Sequence, residues 1–396
     1  MSAYETTAPV ASTSRNAGLS IAILAFSAFL IVTTEFLIVG LLPALARELD
    51  ISMAVAGQLV TLFAFTVMIF GPPLTAALSH LERKKLFIAI LLLFAAANAV
   101  AAASSSFWGL AVARVLPALA LPVFWGTASE TAGQLAGPLR AGQAISRVYL
   151  GISAAMLLGI PLGTVAANVI GWRGAFWVLA GLSLIMAAAM WVCMPSVART
   201  AKVDFLKQAR IFKEPCFLAN ILLSVLVFSA MFIAYTYLAD ILERVAGVAP
   251  TDVGWWMMGF GAIGLVGNWM GGRAVDHSPI KATIGFLALL ALGMAATAAL
   301  AQGGWLFGVA LGLWGIANTA LYPVSQVRVM RSVSHAQALA GTSNVSAANA
   351  GIAVGAIVGG MTLSSLGIGY LGYVAAAVAV LALLLALVVR NLAPAR

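Results

Sequence analysis

Residues 19–42 read LSIAILAFSAFLIVTTEFLIVGLL, a stretch of 24 residues with one charge, Glu35. About 20 apolar residues in a row cross roughly 30 Å of hydrocarbon, which is what such a run is for. Working outward from it, runs of the same kind recur at 54–78, 86–103, 107–130, 143–168, 174–194, 217–241, 253–275, 282–301, 304–328, 339–363 and 370–390. The whole chain agrees with its parts: of 396 residues 63% are hydrophobic and 8% charged, and the mean hydropathy is +1.05. A soluble fold would have nowhere to place that surface. In lipid, backbone amides must be bonded within their own segment, so each run is expected to be a helix. A membrane barrel would need ten-residue strands that alternate in polarity, and no run alternates. The expected fold class is an all-α polytopic membrane protein of twelve transmembrane helices.

Net charge is +9, a value that in a soluble chain would suggest nucleic acid. Here the placement of the cations argues against it. Arg47, Arg173 and Arg244 are the only Lys or Arg in alternate loops, Arg114 lies inside a run, and the remaining cations sit on the side of the N-terminus. Positive residues concentrate in cytoplasmic loops, so both termini are expected in the cytoplasm and no nucleic acid partner is expected. The N-terminal 18 residues are polar, and the run after them is too long for a signal-peptide core, so a retained first helix follows. Cys193 and Cys216 both flank the central loop, which does not suggest a disulfide framework.

That central loop is the longest and most charged, with Lys202, Asp204, Lys207, Arg210, Lys213 and Glu214. It divides the chain into an N-terminal tail (1–18), a first six-helix bundle (19–194), a cytoplasmic linker (195–216) and a second six-helix bundle (217–391). The two bundles read as a duplication. Gly151, Ile152 and Gly159 of the fifth run match Gly351, Ile352 and Gly359 of the eleventh at a constant offset of 200. Parallel repeats around a central pathway are how many transporters alternate access.

Several stretches carry a family resemblance: Thr33-Thr34-Glu35-Phe36 with Val39-Gly40-Leu41-Leu42, Leu81-Glu82-Arg83-Lys84-Lys85-Leu86, Ala113-Arg114 with Phe124-Trp125, Gly159-Ile160-Pro161-Leu162-Gly163 and Gly171-Trp172-Arg173. In the second half Ala234-Tyr235-Thr236-Tyr237, Trp314-Gly315-Ile316-Ala317, Gln326-Val327-Arg328 and Asn349-Ala350-Gly351-Ile352 continue it. Over essentially its whole length the chain resembles the major facilitator superfamily, and within it the drug:proton antiporter branch that includes bacterial sugar-efflux and arabinose-efflux permeases. Branches that export chloramphenicol, other drugs or purine nucleosides share several of these stretches. The chain departs from the family's loop motif after the second run, with Ser79 for the usual Asp and Glu82 for the usual Gly. The second-half copy keeps Gly272 and Asp276.

Charges inside the runs are few. Glu35 and Arg114 each lie about seven residues from the outer end of their run, roughly 10 Å deep at 1.5 Å per residue. A lone ionised side chain there costs at least ~2.5–3.5 kcal/mol on insertion scales, so both should face inward and find partners. Matched depth suggests a direct or water-bridged pair. Burial and a neighbouring guanidinium act in opposite senses on a carboxylate's proton affinity. A movement that alters their separation would therefore bind or release a proton, which makes Glu35 and Arg114 the candidate proton-coupling pair. A static structural ion pair is the competing reading.

Other polar and aromatic residues recur at helical spacing and should face a cavity or another helix rather than lipid. Candidate substrate contacts are Phe65, Trp125, Phe232, Tyr235, Asn318, Tyr322 and Asn349, an aromatic surface with amide and hydroxyl groups suited to a small neutral solute. Gly151, Gly159, Pro161 and Gly163 resemble the antiporter motif of exporters, which the resemblance places at the interface between halves. At the inner ends Glu130 is placed to pair with Arg83 or Arg147, and Asp276 with Arg328 or Arg331, as a gate. No Walker loop, metal-ligand cluster or nucleophile elbow occurs, so neither an enzyme nor a bound cofactor is expected. The expectation is a monomeric, proton-coupled exporter in a bacterial inner membrane, whose partners are the solute, protons and the bilayer.

Overall fold

The computed structural model describes residues 14–78, 81–137, 141–196, 209–334 and 337–392. Its helices are α1 (Ser14–Glu48), α2 (Met53–Leu78), α3 (Arg83–Ala103), α4 (Phe107–Ala136), α5 (Ala141–Ala154), α6 (Ile160–Cys193), α7 (Pro215–Tyr235), α8 (Leu238–Arg244), α9 (Val253–His277), α10 (Pro279–Ala299), α11 (Trp305–Arg331), α12 (Gln337–Ser365) and α13 (Leu371–Leu392). No strand occurs among the described residues.

Ten stretches are long and apolar enough to cross a membrane. One of them, Leu150–Cys193, holds two crossings, because Gly171 turns the chain at φ 73°, ψ 161°. That left-handed conformation suits a residue without a Cβ. The helix α9 supplies a twelfth crossing: it is 25 residues long, but glycine and tryptophan dilute its hydropathy. Twelve crossings bring Ser14, Leu392 and the described flanks of the central segment, Met194 and Ala209, to one side, here called the terminal face, and the turns near Asp50, Ser104, Gly171, Gly247, Gly304 and Gly367 to the far face.

Local chemistry explains the interruptions. Pro161 has no N–H to give the carbonyl four residues earlier, and the helix absorbs the loss in a π turn at Ala155–Gly159. The crossing that begins as α7 breaks after Tyr235 and resumes at Leu238 without proline or glycine. Thr236 gives its hydroxyl to Phe232 O (2.6 Å), and Tyr237 gives its own to Ala356 O on α12 (3.1 Å). Side-chain bonds back to the helix also satisfy Ser27, Thr33, Thr66, Thr127 and Ser183, as a hydroxyl at bilayer depth requires.

The offset of 200 seen in the residues recurs in the packing. A Cβ on Gly151 would strike Ala25 O of α1, and one on Gly351 would strike Val225 O of α7. Gly159 is closed against Thr33, and Gly359 against Ile233. Contact pairs 25/151 and 33/159 thus repeat as 225/351 and 233/359. The chain before and after the central segment meets along three seams: α2 on α12, the π turn and α6 on α9, and α1 on α8.

Candidate functional site

Arg114 projects from α4 and is 3% exposed. Its guanidinium donates to two backbone carbonyls of α1, Thr34 O (2.8 Å) and Glu35 O (2.7 Å), and lies 4.2 Å from the centre of the Phe63 ring. The sequence led us to expect a pair between its charge and the Glu35 carboxylate. What forms instead is a clamp on the backbone, because a helical carbonyl keeps a second lone pair for an external donor. Asn98 of α3 adds a bond to Thr34 Oγ1 at 3.1 Å. The Glu35 carboxylate, on a residue 9% exposed, makes no hydrogen bond or ion pair among the described residues. It lies within electrostatic reach of Arg114 and of Tyr322 on α11. Arg114 therefore fixes where the acid stands and leaves its oxygens open.

From Phe36, next to Glu35 in sequence, a row of aromatic rings bridges the two halves. Phe36 of α1 and Phe232 of α7 stand 5.8 Å apart, Phe232 and Tyr235 5.3 Å, and Tyr235 and Phe260 of α9 5.8 Å. Tyr235, Phe260, Asn318 and Met156 of the π turn enclose a void of about 10 Å³, the space of a single water. A second void of about 50 Å³, lined by Tyr322, Asn268 and Ser153, lies beside it between α5 and α9. Asn318 is 2% exposed, and its Oδ1 has no partner among the described residues; the same holds for Tyr322 OH and Asn349 Oδ1. Tyr322 stands edge-on to Phe228 at 5.1 Å. Trp125 is half-buried against Phe124 at 5.4 Å, and Phe65 is exposed.

Gly151, Gly159 and Gly163 face α1 within their own half. It is the other side of that crossing that meets the second half: Met156 O and Pro161 O lie against Gly261 and Gly254 of α9. The glycines that permit close approach at this seam therefore belong to α9.

At the terminal face Arg83 pairs with Glu130 at 2.9 Å, joining α3 to α4. Arg147 is exposed. Arg328 donates to Asn220 O and Oδ1 (3.2 and 3.1 Å) and to Ser224 Oγ (2.8 Å), tying α11 to α7, while Arg331 reaches Val275 O (3.2 Å). The side chain of Asp276 lies outside the described residues, as does Ser79. The Arg83–Glu130 pair and the bonds of Arg328 to Asn220 and Ser224 and of Arg331 to Val275 O each join helices of the same half.

Two bonds between the halves sit at the far face, and sequence reasoning did not single them out; a third, from Tyr235 Oη to Met156 Sδ at 4.0 Å, lies beside the small void. Arg47 of α1 pairs with Glu243 of α8 at 2.8 Å, and Asn168 Nδ2 donates to Pro250 O at 3.3 Å. Tyr237, fully buried, fills a notch between Gly57 of α2 and Gly359 and Gly360 of α12. Glu48 at the end of α1 receives Trp172 Nε1 and Arg173, anchoring the Gly171 turn, and Arg173 also reaches Ser104 O at 3.1 Å. The α4 and α11 helices, by contrast, share at most isolated contacts. The far face is sealed.

Comparison with known proteins agrees with this architecture. The family model of the Major Facilitator Superfamily matches residues 24–346. Among similar proteins, the inner membrane transport protein YdhP of Escherichia coli (strain K12) is 34% identical over 91% of this chain and 93% of its own. A probable sugar efflux transporter of Helicobacter pylori (strain G27) is 28% identical over 91% and 92%. Among solved structures, the D-xylose-proton symporter superposes with a TM-score of 0.75 at 16% identity, covering 93% of this chain and 96% of that one. A bacterial homolog of the human lysosomal transporter Spinster, inward-facing and unoccupied, does so with 0.75 at 16% over 96% of each.

Proposed function

This chain belongs to the Major Facilitator Superfamily, and we propose that within it the chain is a proton-coupled exporter of a small neutral solute, most simply a sugar or sugar derivative. It would work in a bacterial inner membrane with both termini cytoplasmic, the cation bias of the loops supporting that orientation. The observation that carries the reading is the Glu35 carboxylate. It is buried inside the first half, held in place through its backbone by Arg114, with no bond to its oxygens among the described residues and with Tyr322 of the second half within electrostatic reach. A carboxylate so placed changes proton affinity when the rings and polar groups across from it move, since burial and neighbouring charge are what set that affinity. Protonation and the parting of the halves are then linked. The far-face seal between Arg47 and Glu243 and around Tyr237 fits the state that opens toward the cytoplasm, where solute would be loaded.

The rings of Phe36, Phe232, Tyr235 and Phe260 also suit the flat face of a nucleoside or an aromatic drug such as chloramphenicol, which is the second reading. Everted membrane vesicles separate them. Labelled sugars, nucleosides and chloramphenicol are offered with and without an imposed proton gradient, to the wild-type chain and to Glu35→Gln. The expected result is gradient-driven accumulation of a sugar that Glu35→Gln loses while still exchanging solute across the membrane. Unchanged gradient-driven accumulation in Glu35→Gln would overturn the coupling role.

A further inference from the structure

Three arginines are buried among the described residues: Arg83, Arg114 and Arg328. Two of them have an acid at hand. Arg83 meets Glu130 at 2.9 Å, and Arg114 has Glu35 within electrostatic reach. Arg328, 3% exposed, has no acid within such reach among the described residues and forms no ion pair there. The helices around it explain why: neither α7, α11 nor α12 contains an acidic residue.

What surrounds the Arg328 guanidinium is neutral. Its Nη1 donates to Asn220 O and Oδ1 (3.2 and 3.1 Å), and its Nη2 to Ser224 Oγ (2.8 Å). Ser224 gives its own hydrogen to Asn344 Oδ1 (2.7 Å), and Asn344 Nδ2 donates to Gln326 Oε1 (2.7 Å). These dipoles leave one N–H over, for Nε has no partner among the described residues. One turn earlier on the same face of α11, the fully buried Ser325 hydroxyl has none either. Ser27 and Ser229 show the ordinary solution, a bond back to the carbonyl four residues earlier, and Ser325 does not adopt it. A buried charge without a countercharge is costly, and so is a buried polar hydrogen without an acceptor.

Two donor hydrogens beside a full positive charge define what fits. A water would serve the hydrogens but not the charge, whereas an anion serves both. Val324, Ser325 and Val329 are 0% exposed, an enclosure that suits a single small ion and not a solute. Such an ion must shed its water to enter, which favours a weakly hydrated one, and a guanidinium is the weakly hydrated member of the protein's two cation types. The way in is short, because α11 ends at Arg331, about 5 Å beyond Arg328 at 1.5 Å per residue.

We propose that a small, weakly hydrated monovalent anion of the halide or nitrate class binds between Arg328 Nε and Ser325 Oγ and supplies the countercharge that the helices of the second half do not. Bound there, it completes the tie between α11 and α7. The site uses neither Glu35 nor any residue assigned to the solute, so the inference goes beyond the exporter reading and holds whichever solute is moved.

The test is thermal unfolding of the purified full-length chain at constant ionic strength, with sodium gluconate replaced stepwise by chloride, bromide or nitrate, and by acetate or phosphate for comparison. A ligand that binds the native state raises Tm with the logarithm of its concentration once that exceeds Kd. Wild type should respond to chloride, to bromide and nitrate at lower concentration, and not to acetate or phosphate. Ser325→Ala keeps the bonds of Arg328 to Asn220 and Ser224 and removes one donor to the anion. Its response should therefore shift to about tenfold higher concentration or more, the span of a hydrogen bond to a charged group. Arg328→Gln should lose the response, and if that variant does not fold, Ser325→Ala decides alone.

A rise in Tm of equal size for every anion, or with the same midpoint in wild type and Ser325→Ala, is a general salt effect and overturns the proposal. Neutral groups would then be the whole solvation of Arg328. A response to acetate or phosphate with none to halide or nitrate overturns it as well, and would assign Arg328 to the acidic group of a larger molecule. Neither result bears on the coupling role of Glu35.

Discussion

Replacing Gly57 by Ala should weaken the far-face seal without touching the central void. A Cβ at Gly57 would stand 2.2 Å from Tyr237 Oη and 2.7 Å from Cζ. The ring cannot retreat, because it is fully buried and closed on its other side by Gly359 and Gly360. Tyr237 must give up its bond to Ala356 O, a loss of about 0.5–1.5 kcal/mol, and the overpacking adds about 1–3 kcal/mol. Alanine also raises the helix propensity of α2 by roughly 0.8–1 kcal/mol, but it does so in every conformation and cancels from the ratio between them. The sealed state should lose roughly 1.5–4.5 kcal/mol relative to one in which α2 and α8 have parted, at least a tenfold shift in population. Spin labels at Asp50→Cys and Thr251→Cys, with Cys193 and Cys216 changed to Ser, report the far-face distance directly by pulsed electron paramagnetic resonance. The expected outcome is a new, longer component in Gly57→Ala. An unchanged distance distribution together with a lower Tm would refute the reasoning, since the clash would then burden all states alike.

Charge reversal tests the ionic part of the same seal. Arg47→Glu and Glu243→Arg should each populate the far-face-open distance modestly, within about fivefold because exposed pairs contribute ~0–1 kcal/mol, and the double reversal should restore the wild-type distribution. Arg114→Lys keeps the charge but cannot span two carbonyls with a planar fork. It should lower Tm and blunt gradient-driven transport, and full activity with unchanged Tm would mean the clamp on Thr34 and Glu35 is dispensable.

Much of this architecture is legible in the residues because the bilayer imposes it. Apolar length and the one-sided cations mark the crossings, and the glycines at 151/351 and 159/359 announce a repeat whose packing onto α1 and α7 keeps the same offset. The crossing that starts at Val253 shows the limit of hydropathy alone: its glycines and tryptophans dilute the signal, though the same glycines let α6 approach. What the residues concealed depends on contacts far apart in sequence. Nothing local marks the break after Tyr235, which is held by Tyr237 reaching Ala356, 119 residues on. Depth matched Glu35 with Arg114, but depth is blind to whether a guanidinium meets a carboxylate or a carbonyl, and here it chose Thr34 O and Glu35 O. Arg47 looked like one of a few stray outer cations until α8 brought Glu243 to it. The pairing of Arg83 with Glu130 was legible at the inner ends, whereas the carbonyl of Val275 that Arg331 meets and the Asn220 and Ser224 that Arg328 meets were not.

Proton movement on addition of solute tests the central claim most directly. In respiring everted vesicles acidified inside, with a pH-sensitive dye, a transported sugar should partly collapse the gradient in proportion to the sugar taken up, and Glu35→Gln should accept the sugar without moving the dye. Accumulation of sugar by the wild-type chain with no proton displaced, or an equal dye response in Glu35→Gln, would contradict the account.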